Sequence, residues 1–342
     1  MHSFSSYCQL WKLCYNRDYK ERALWGRKGI RMRKFLTALV LVMVVLGGAA
    51  GALVYITPPP PKPPEARPLP ETGAVSFSIL DGHSGRIYGE KQGNLKIYPA
   101  STTKILTCII ALEEGKALLD QNVRVSPRAM AQDGTNLGVR PDMPLSLRET
   151  LYGMMLVSGN DAAVAVGETV GGSYERFVAM MNEKASSIGV SHSHFANPNG
   201  LTDPNHYTTA DDMVKIAAYA MKNPEFQAIV KEKSHKLTYR DGMYRNIENR
   251  NEFLGSGYAG ANGIKTGMTE AAGDCLVASA ERNGRLIITA VYNDKNRWND
   301  VKGLLDYGFQ AAADEEAYEA ALAAEPALYK WVNRLMGREA DE

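Results

Sequence analysis

The chain has 342 residues, of which 45% are hydrophobic, and a formal net charge of +1. This length suits one large domain or two ordinary ones, and the apolar content is enough for a sizeable core. The nearly neutral balance argues against a nucleic-acid partner.

The first distinct segment is basic and is followed by an apolar run. Residues 1–34 hold nine Lys or Arg against two acidic residues, and residues 35–56 then carry no charge. Twenty-two such residues are long enough to cross a bilayer as a helix, and the positive-inside rule assigns 1–34 to the cytoplasm and the bulk of the chain to the outside. The alternative is a cleaved signal peptide beginning at Met32. We favour an anchor because the run exceeds the usual ~7–15 apolar residues of a signal core. Both interpretations export the rest.

A proline-rich segment, residues 57–70, follows the apolar run and predicts an extended, semi-rigid stalk of roughly 40 Å. We expect a catalytic domain over residues 71–310 and a helical acidic tail over 311–342. Cys8 and Cys14 would be cytosolic. Cys108 and Cys275 would be exported, where two buried thiols or one disulfide are both compatible with the sequence.

The globular part begins and ends with strand patterns. Alternation predicts a hairpin from Val75–Leu80 and Arg86–Glu90, and further strands close the chain at 263–268, 274–280 and 286–292, the last two joined by an Asn-Gly turn. Between them, periodicity and caps predict helices from Ser101 to Gly115 and over 145–157, 160–170, 173–189 and 209–223, and a helix follows at 298–309. We therefore predict an α+β fold, in which an antiparallel sheet is flanked by helices and a helical subdomain is inserted.

The start of the first buried helix holds a hydroxyl and an amine. Ser101 and Lys104 are three residues apart, so they share a helix face. A serine needs an adjacent base to act as a nucleophile, and a buried lysine near a second cation can be that base. The helix dipole would favour developing negative charge at Ser101. The plain alternative is that Ser101 is an ordinary N-cap.

Two further short motifs lie where a cleft between sheet and helices would need them. Ser158-Gly159-Asn160 is in the turn between two helices, and Lys265-Thr266-Gly267 is on a strand. The order Ser-x-x-Lys, Ser-x-Asn, Lys-Thr-Gly is the signature of serine penicillin-recognising enzymes. Together with the stretches 151–153, 156–163, 195–201, 203–207 and 210–212, it resembles the low-molecular-mass penicillin-binding proteins, serine-type D-alanyl-D-alanine carboxypeptidases that trim peptidoglycan.

This resemblance implies an acyl-enzyme reaction on stem peptides and no cofactor. Lys104 would take the proton of Ser101, although Lys104 and Lys265 could share that role, and Ser158 would relay a proton to the leaving amine. The other implied site residues bind substrate. Asn160 would hold the substrate amide, and Lys265 and Thr266 would bind the substrate carboxylate. The oxyanion would be stabilised by the backbone N–H groups of Ser101 and of Met268, the residue after Gly267. Arg250 matches an arginine that some relatives place near the carboxylate. β-Lactams would be covalent inhibitors.

The chain departs from the family pattern at Asn199, where many relatives carry His, so a contribution of that side chain to deacylation is in doubt. His192, His194 and His206 fit no strong zinc pattern, and we expect solvent-exposed or capping histidines there and no metal. The alternatives are a class A-like β-lactamase, disfavoured by Ser-Gly-Asn and by the lack of a glutamate-bearing loop, and a non-catalytic membrane-tethered wall-binding scaffold. A transpeptidase or endopeptidase would use the same site.

Overall fold

The computed structural model describes residues 31–338. Most of the predicted cytoplasmic segment, with Cys8 and Cys14, lies outside this range. Within the described range the chain forms two units. One comprises Glu65–Glu316, and the other combines the residues up to Pro64 with those from Ala317 onward.

The larger unit is built on a five-stranded antiparallel sheet with strand order β2-β1-β7-β6-β5. Register is set by pairs such as Phe77 with Val291 and Lys265 with Val277. Because the first two strands pair with the last three, the chain ends of this unit meet in one sheet, as the sequence predicts. The strands are β1 Ser76–Asp81, β2 Ile87–Lys91, β5 Ala261–Thr269, β6 Gly273–Arg282 and β7 Arg285–Tyr292, while β3 Ser234–Thr238 and β4 Tyr244–Glu248 form a separate hairpin.

Ten helices lie in the described part of the chain. They are α1 Arg31–Ile56, α2 Lys104–Glu114, α3 Pro127–Met130, α4 Leu147–Leu156, α5 Asn160–Gly171, α6 Tyr174–Ile188, α7 Ala210–Ala220, α8 Pro224–Lys231, α9 Arg297–Ala324 and α10 Ala327–Leu335.

The two faces of the sheet bury different partners. Alternate residues of β7 show this division, since Ile288 and Ala290 pack into the core that contains α2 and the inserted helices, whereas Ile287 and Val291 pack with α9. The α+β fold with an inserted helical subdomain is therefore confirmed.

Helix boundaries follow local chemistry closely. Ser146 accepts a hydrogen bond from the Glu149 N–H and caps α4, and Ser173 and Thr209 cap α6 and α7 in the same way. Gly189 ends α6 in the left-handed conformation at φ 86°. Glu149, three residues after this cap, uses its carboxylate to accept from the Thr238 N–H of β3 at 2.8 Å.

One unpredicted helix and one boundary differ from the sequence prediction. The helix predicted over 209–223 ends at Ala220, before Asn223-Pro224 as expected, but Asn223 then caps a second helix, α8, with Pro224 in its first turn. The closing helix α9 extends to Ala324, well past Phe309, and thus runs across the predicted boundary at residues 310 and 311.

The proline-rich segment contains no helix or strand between residues 58 and 72. In the larger unit, Arg67 pairs with Asp314 of α9 at 2.6 Å, so the last residues of this segment lie against the body. In the smaller unit, the Asn333 side chain of α10 donates to the Pro58 carbonyl at 3.1 Å.

Candidate active site

Lys104 lies at the centre of the candidate site, with its side chain fully buried. Its Nζ is 2.8 Å from Ser101 Oγ, 2.8 Å from Asn160 Oδ1 and 2.6 Å from the Asn199 carbonyl oxygen. Burial lowers the pKa of Lys104 well below its usual value, and the nearby Lys265 charge lowers it further. A neutral amine beside the hydroxyl can accept its proton.

The spacing of Ser101 and Lys104 works because this segment is a tight helix. Ala100–Thr103 form a 3-10 helix that continues into α2, and three residues per turn bring i and i+3 side chains into line. Ser101 is therefore not the cap of α2, since Thr103 occupies that position and makes no side-chain cap hydrogen bond. The N-cap interpretation of Ser101 is wrong.

Two glycines allow other segments to approach Ser101 closely. A Cβ on Gly267 of β5 would lie 3.2 Å from the Ser101 nitrogen, and one on Gly200 would lie 1.8 Å from the Ala100 carbonyl oxygen. Ala100 itself has φ 47°, a conformation that costs free energy for a residue with a side chain. Packing thus holds the backbone around the hydroxyl in an unusual shape.

The second motif lies in the turn between α4 and α5. Ser158 is nearly buried and has φ 69°, and Gly159 caps α5, so that Asn160 begins the helix. The Asn160 amide accepts from Lys104 and donates to the Asp133 carbonyl at 2.7 Å. Asn160 therefore links the amine to the loop of residues 132–139.

That loop is fixed by a buried carboxylate. Asp161 accepts hydrogen bonds from the backbone N–H groups of Leu137, Gly138 and Val139 at 2.7, 2.6 and 2.9 Å. Hydrogen bonds to an ionised acceptor are among the stronger ones in proteins. Because Asp161 is next to Asn160, the same helix start orders both the loop and the amide.

The third motif places a second amine nearby. Lys265 on β5 is 2% exposed, and burial followed by the charge of Arg250 lowers its pKa to about 7. Its Nζ donates to the Thr266 carbonyl at 3.1 Å. Arg250 donates to the Thr135 hydroxyl at 2.8 Å.

The remaining predicted residues lie along β5. Thr266 is half-buried, Gly267 is buried against Ala100, and the Met268 side chain is 67% exposed. Among the strands of residues 31–338, β5 lies at the end of the sheet and pairs with β6 alone, so its other edge is available for a strand-like ligand.

Sequence reasoning missed three contributors. Asn199 was weighed only for its side chain, whereas its main-chain carbonyl contacts Lys104. Asp161 was not identified, although its position in the first turn of α5 was a signal. His206 was expected to be exposed or capping and is instead 1% exposed, while His192 and His194 are exposed as expected.

Cys108 and Cys275 are buried and unpaired.

Comparison with known proteins agrees with this geometry. Residues 63–296 match the model of the peptidase S11 family, D-alanyl-D-alanine carboxypeptidase. The carboxypeptidase DacF of Bacillus subtilis is 33% identical over 257 residues, which cover 72% of this chain and 64% of that protein. DacB2 of Mycobacterium tuberculosis is 36% identical, with 72% and 86% covered. The chain thus spans slightly less than two thirds of the Bacillus relative.

Solved structures give the same result. The Streptomyces K15 DD-transpeptidase is 30% identical with a TM-score of 0.66, covering 71% of this chain and 100% of that one. A penicillin-binding protein homologue from Mycobacterium tuberculosis is 33% identical with a TM-score of 0.67, covering 73% and 96%. The contact of Ser101 with the buried Lys104 and these matches lead to one conclusion: the chain belongs to the peptidase S11 family of D-alanyl-D-alanine carboxypeptidases.

Proposed function

We propose that this protein is a serine-type carboxypeptidase that removes the terminal D-alanine from peptidoglycan stem pentapeptides. The observation that carries the proposal is the 2.8 Å contact between Ser101 Oγ and the buried Nζ of Lys104. A surface lysine would be charged and unable to accept a proton, whereas this one is desolvated and lies near a second amine.

In the acylation step, Ser101 Oγ attacks the carbonyl carbon of the penultimate D-alanine and Lys104 takes the hydroxyl proton. The peptide bond to the terminal residue breaks, and Ser158 relays a proton to the leaving amine. Asn160 holds the substrate amide while it keeps Lys104 in place. The product of this half-reaction is an ester between Ser101 and the shortened stem peptide.

Substrate recognition would use the open edge of β5. The protonated form of Lys265, with Thr266 and Arg250, would attract the terminal carboxylate. The N–H groups of Ser101 and Met268 would stabilise the oxyanion, and the absence of a side chain at Gly267 leaves that space open. No cofactor takes part in this scheme.

Water would complete the cycle by hydrolysing the ester. The Asn199 side chain is occupied, since it donates to Gln132 Oε1 at 2.7 Å and accepts from the Leu201 N–H at 3.0 Å. It is therefore not poised to activate water, and we expect a penicilloyl-enzyme to hydrolyse slowly. β-Lactams would accordingly be covalent inhibitors, which disfavours the β-lactamase alternative.

The site would act outside the cytoplasm. Among the described residues, one helix, Arg31–Ile56, is long and apolar enough to span a membrane, a property that a cleavable signal sequence shares. We propose that residues 35–56 anchor the protein, with 1–34 inside, 57–70 as a spacer, 71–310 as the catalytic domain and 311–342 as an accessory tail. A cleaved signal would release the same domain outside.

Transfer to an amine in place of water is the second candidate, because one matched structure is a DD-transpeptidase. A membrane-tethered scaffold without activity is less consistent with a fully formed Ser101–Lys104 pair.

The decisive experiment labels the detergent-solubilised full chain with a fluorescent penicillin. We expect covalent labelling that is lost in Ser101→Ala and retained in the control Ser187→Ala, which removes an exposed hydroxyl. Incubation with a synthetic pentapeptide should then release free D-alanine. A product joined to an added amine acceptor would favour transfer, and folded protein that takes no label would refute the enzymatic proposal.

A further inference from the structure

His206 is a buried histidine that takes no direct part in the proposed reaction. Its Nε2 is 2.8 Å from Thr103 Oγ1, and its Nδ1 accepts from the backbone N–H groups of Ala196 and Asn197 at 3.0 and 3.3 Å. The ring also meets Phe195 edge-on, with centroids 5.7 Å apart. All polar positions of the imidazole are therefore used in the interior.

These contacts fix the state of the ring. Because two N–H groups point at Nδ1, that atom carries the lone pair and Nε2–H donates to Thr103. Burial lowers the pKa of His206 to about 4; Asp203 opposes this shift, while His194 and Lys104 add to it. The ring is neutral at neutral pH, and a second proton would face two donors.

The two segments that His206 joins both hold Lys104. Thr103 directly precedes Lys104 in the chain. The loop on the other side continues from Asn197 to Asn199, whose carbonyl accepts from Lys104 Nζ at 2.6 Å. The Pro198 carbonyl accepts from Thr107 Oγ1 on the next turn of α2 at 2.7 Å. The loop is thus fastened to the helix on both sides of Lys104.

We propose that His206 is a positioning residue that holds the Asn199 loop against α2. By doing so it keeps water away from the Lys104 amine, which favours the neutral form of that amine. This inference rests on the proposed function. If the bridge is broken, the loop loosens and water reaches the amine, and the pKa of Lys104 returns toward its ordinary value. A higher pH is then needed to generate the neutral base.

The test is the pH profile of the rate of acylation by penicillin, measured on the full chain in detergent. His206→Asn keeps an acceptor for the loop but cannot reach Thr103, and Thr103→Val removes the same hydrogen bond from the other side with little change in volume. We expect the acylation rate of both variants to rise with pH about one unit or more higher than that of the wild type. At a pH below this rise the variants should be about tenfold slower than the wild type, and at high pH they should approach its rate.

The double variant should shift the limb no further than the larger single shift, because both changes break one bridge. The matched control is His192→Asn, an exposed histidine whose replacement should leave the limb unchanged. A limb that stays in place in Thr103→Val overturns the inference, even if the melting temperature falls and even if His206→Asn does not fold. Wild-type protein that takes no penicillin would overturn the proposed function instead.

Discussion

Gly267 lies so close to Ser101 that a methyl group on its Cα would come within 3.2 Å of the Ser101 backbone nitrogen. That nitrogen is one of the two proposed oxyanion donors. Gly267→Ala should push β5 away from the 3-10 helix and slow penicillin acylation by ~10²–10³, the usual cost of losing one such donor. Stopped-flow or gel-based labelling measures the rate.

The control for this change is Gly255→Ala, since a Cβ there meets nothing within 4 Å. It should acylate like the wild type. If Gly267→Ala acylated at the wild-type rate while its circular dichroism remained native, the placement of the oxyanion hole at this strand would be wrong.

Asp161 supports the loop over the site, and its replacement should cost stability. In Asp161→Asn a neutral amide replaces a carboxylate that accepts from the N–H groups of Leu137, Gly138 and Val139, and one amide N–H group then faces donors. We expect urea denaturation to show a loss of about 3 kcal/mol. Asp241→Asn in an exposed turn is the control and should lose less than about 1 kcal/mol. Equal losses in the two variants would contradict the role of Asp161.

Acid should destabilise the protein through His206. Its pKa is about 4 in the fold and near 6.5 in an unfolded chain, so between these values the unfolded state binds more protons and stability falls as pH falls. The contribution of His206 to the free energy of unfolding is fully present above pH 6.5. It is lost as the pH falls toward 4, and the loss is at most about 3 kcal/mol. The difference in unfolding free energy between wild type and His206→Asn, followed from pH 7 to 4.5, isolates this slope. A constant difference would contradict it.

Arg250 should affect the pH at which Lys265 loses its proton. Burial and, after it, the positive charge of Arg250 together lower the pKa of Lys265 to about 7. In the proposed scheme only protonated Lys265 attracts the substrate carboxylate, so peptide cleavage should decline as pH rises through this value. Arg250→Gln removes a positive neighbour, raises the pKa of Lys265 and should move that falling limb to higher pH, while KM rises. An unchanged limb would place Arg250 outside this electrostatic network.

The sequence predicted the elements whose pattern is strong. The β-branched strand around Ile287 to Val291 and the capped helices after Ser146, Ser173 and Thr209 appear where expected, because burial and capping act over a few residues. The hairpin of β3 and β4 was missed since each strand buries one apolar residue, Leu237 or Ile247, which leaves no alternation to detect.

For the site, the first two motifs were enough to name Ser101 and Asn160, whose side chains hydrogen-bond to Lys104, and the roles of all the site residues stay predictions. The sequence could not reveal the Asn199 carbonyl, because every residue has one and only the loop path decides where it points. It also could not show that His206 turns inward. That placement depends on Thr103, which is 103 residues away in the chain, and on the backbone N–H groups of Ala196 and Asn197.

The Asn199 carbonyl carries a consequence for how this enzyme can vary. A contact made by a main-chain atom survives any amino-acid exchange that preserves the path of the loop, so an exchange at position 199 can leave the proposed general base, Lys104, undisturbed. Substitutions at Gly200 differ in kind, because a Cβ there would lie 1.8 Å from the Ala100 carbonyl oxygen and would force the loop onto another path. We therefore expect position 200 to tolerate exchange far less well than position 199.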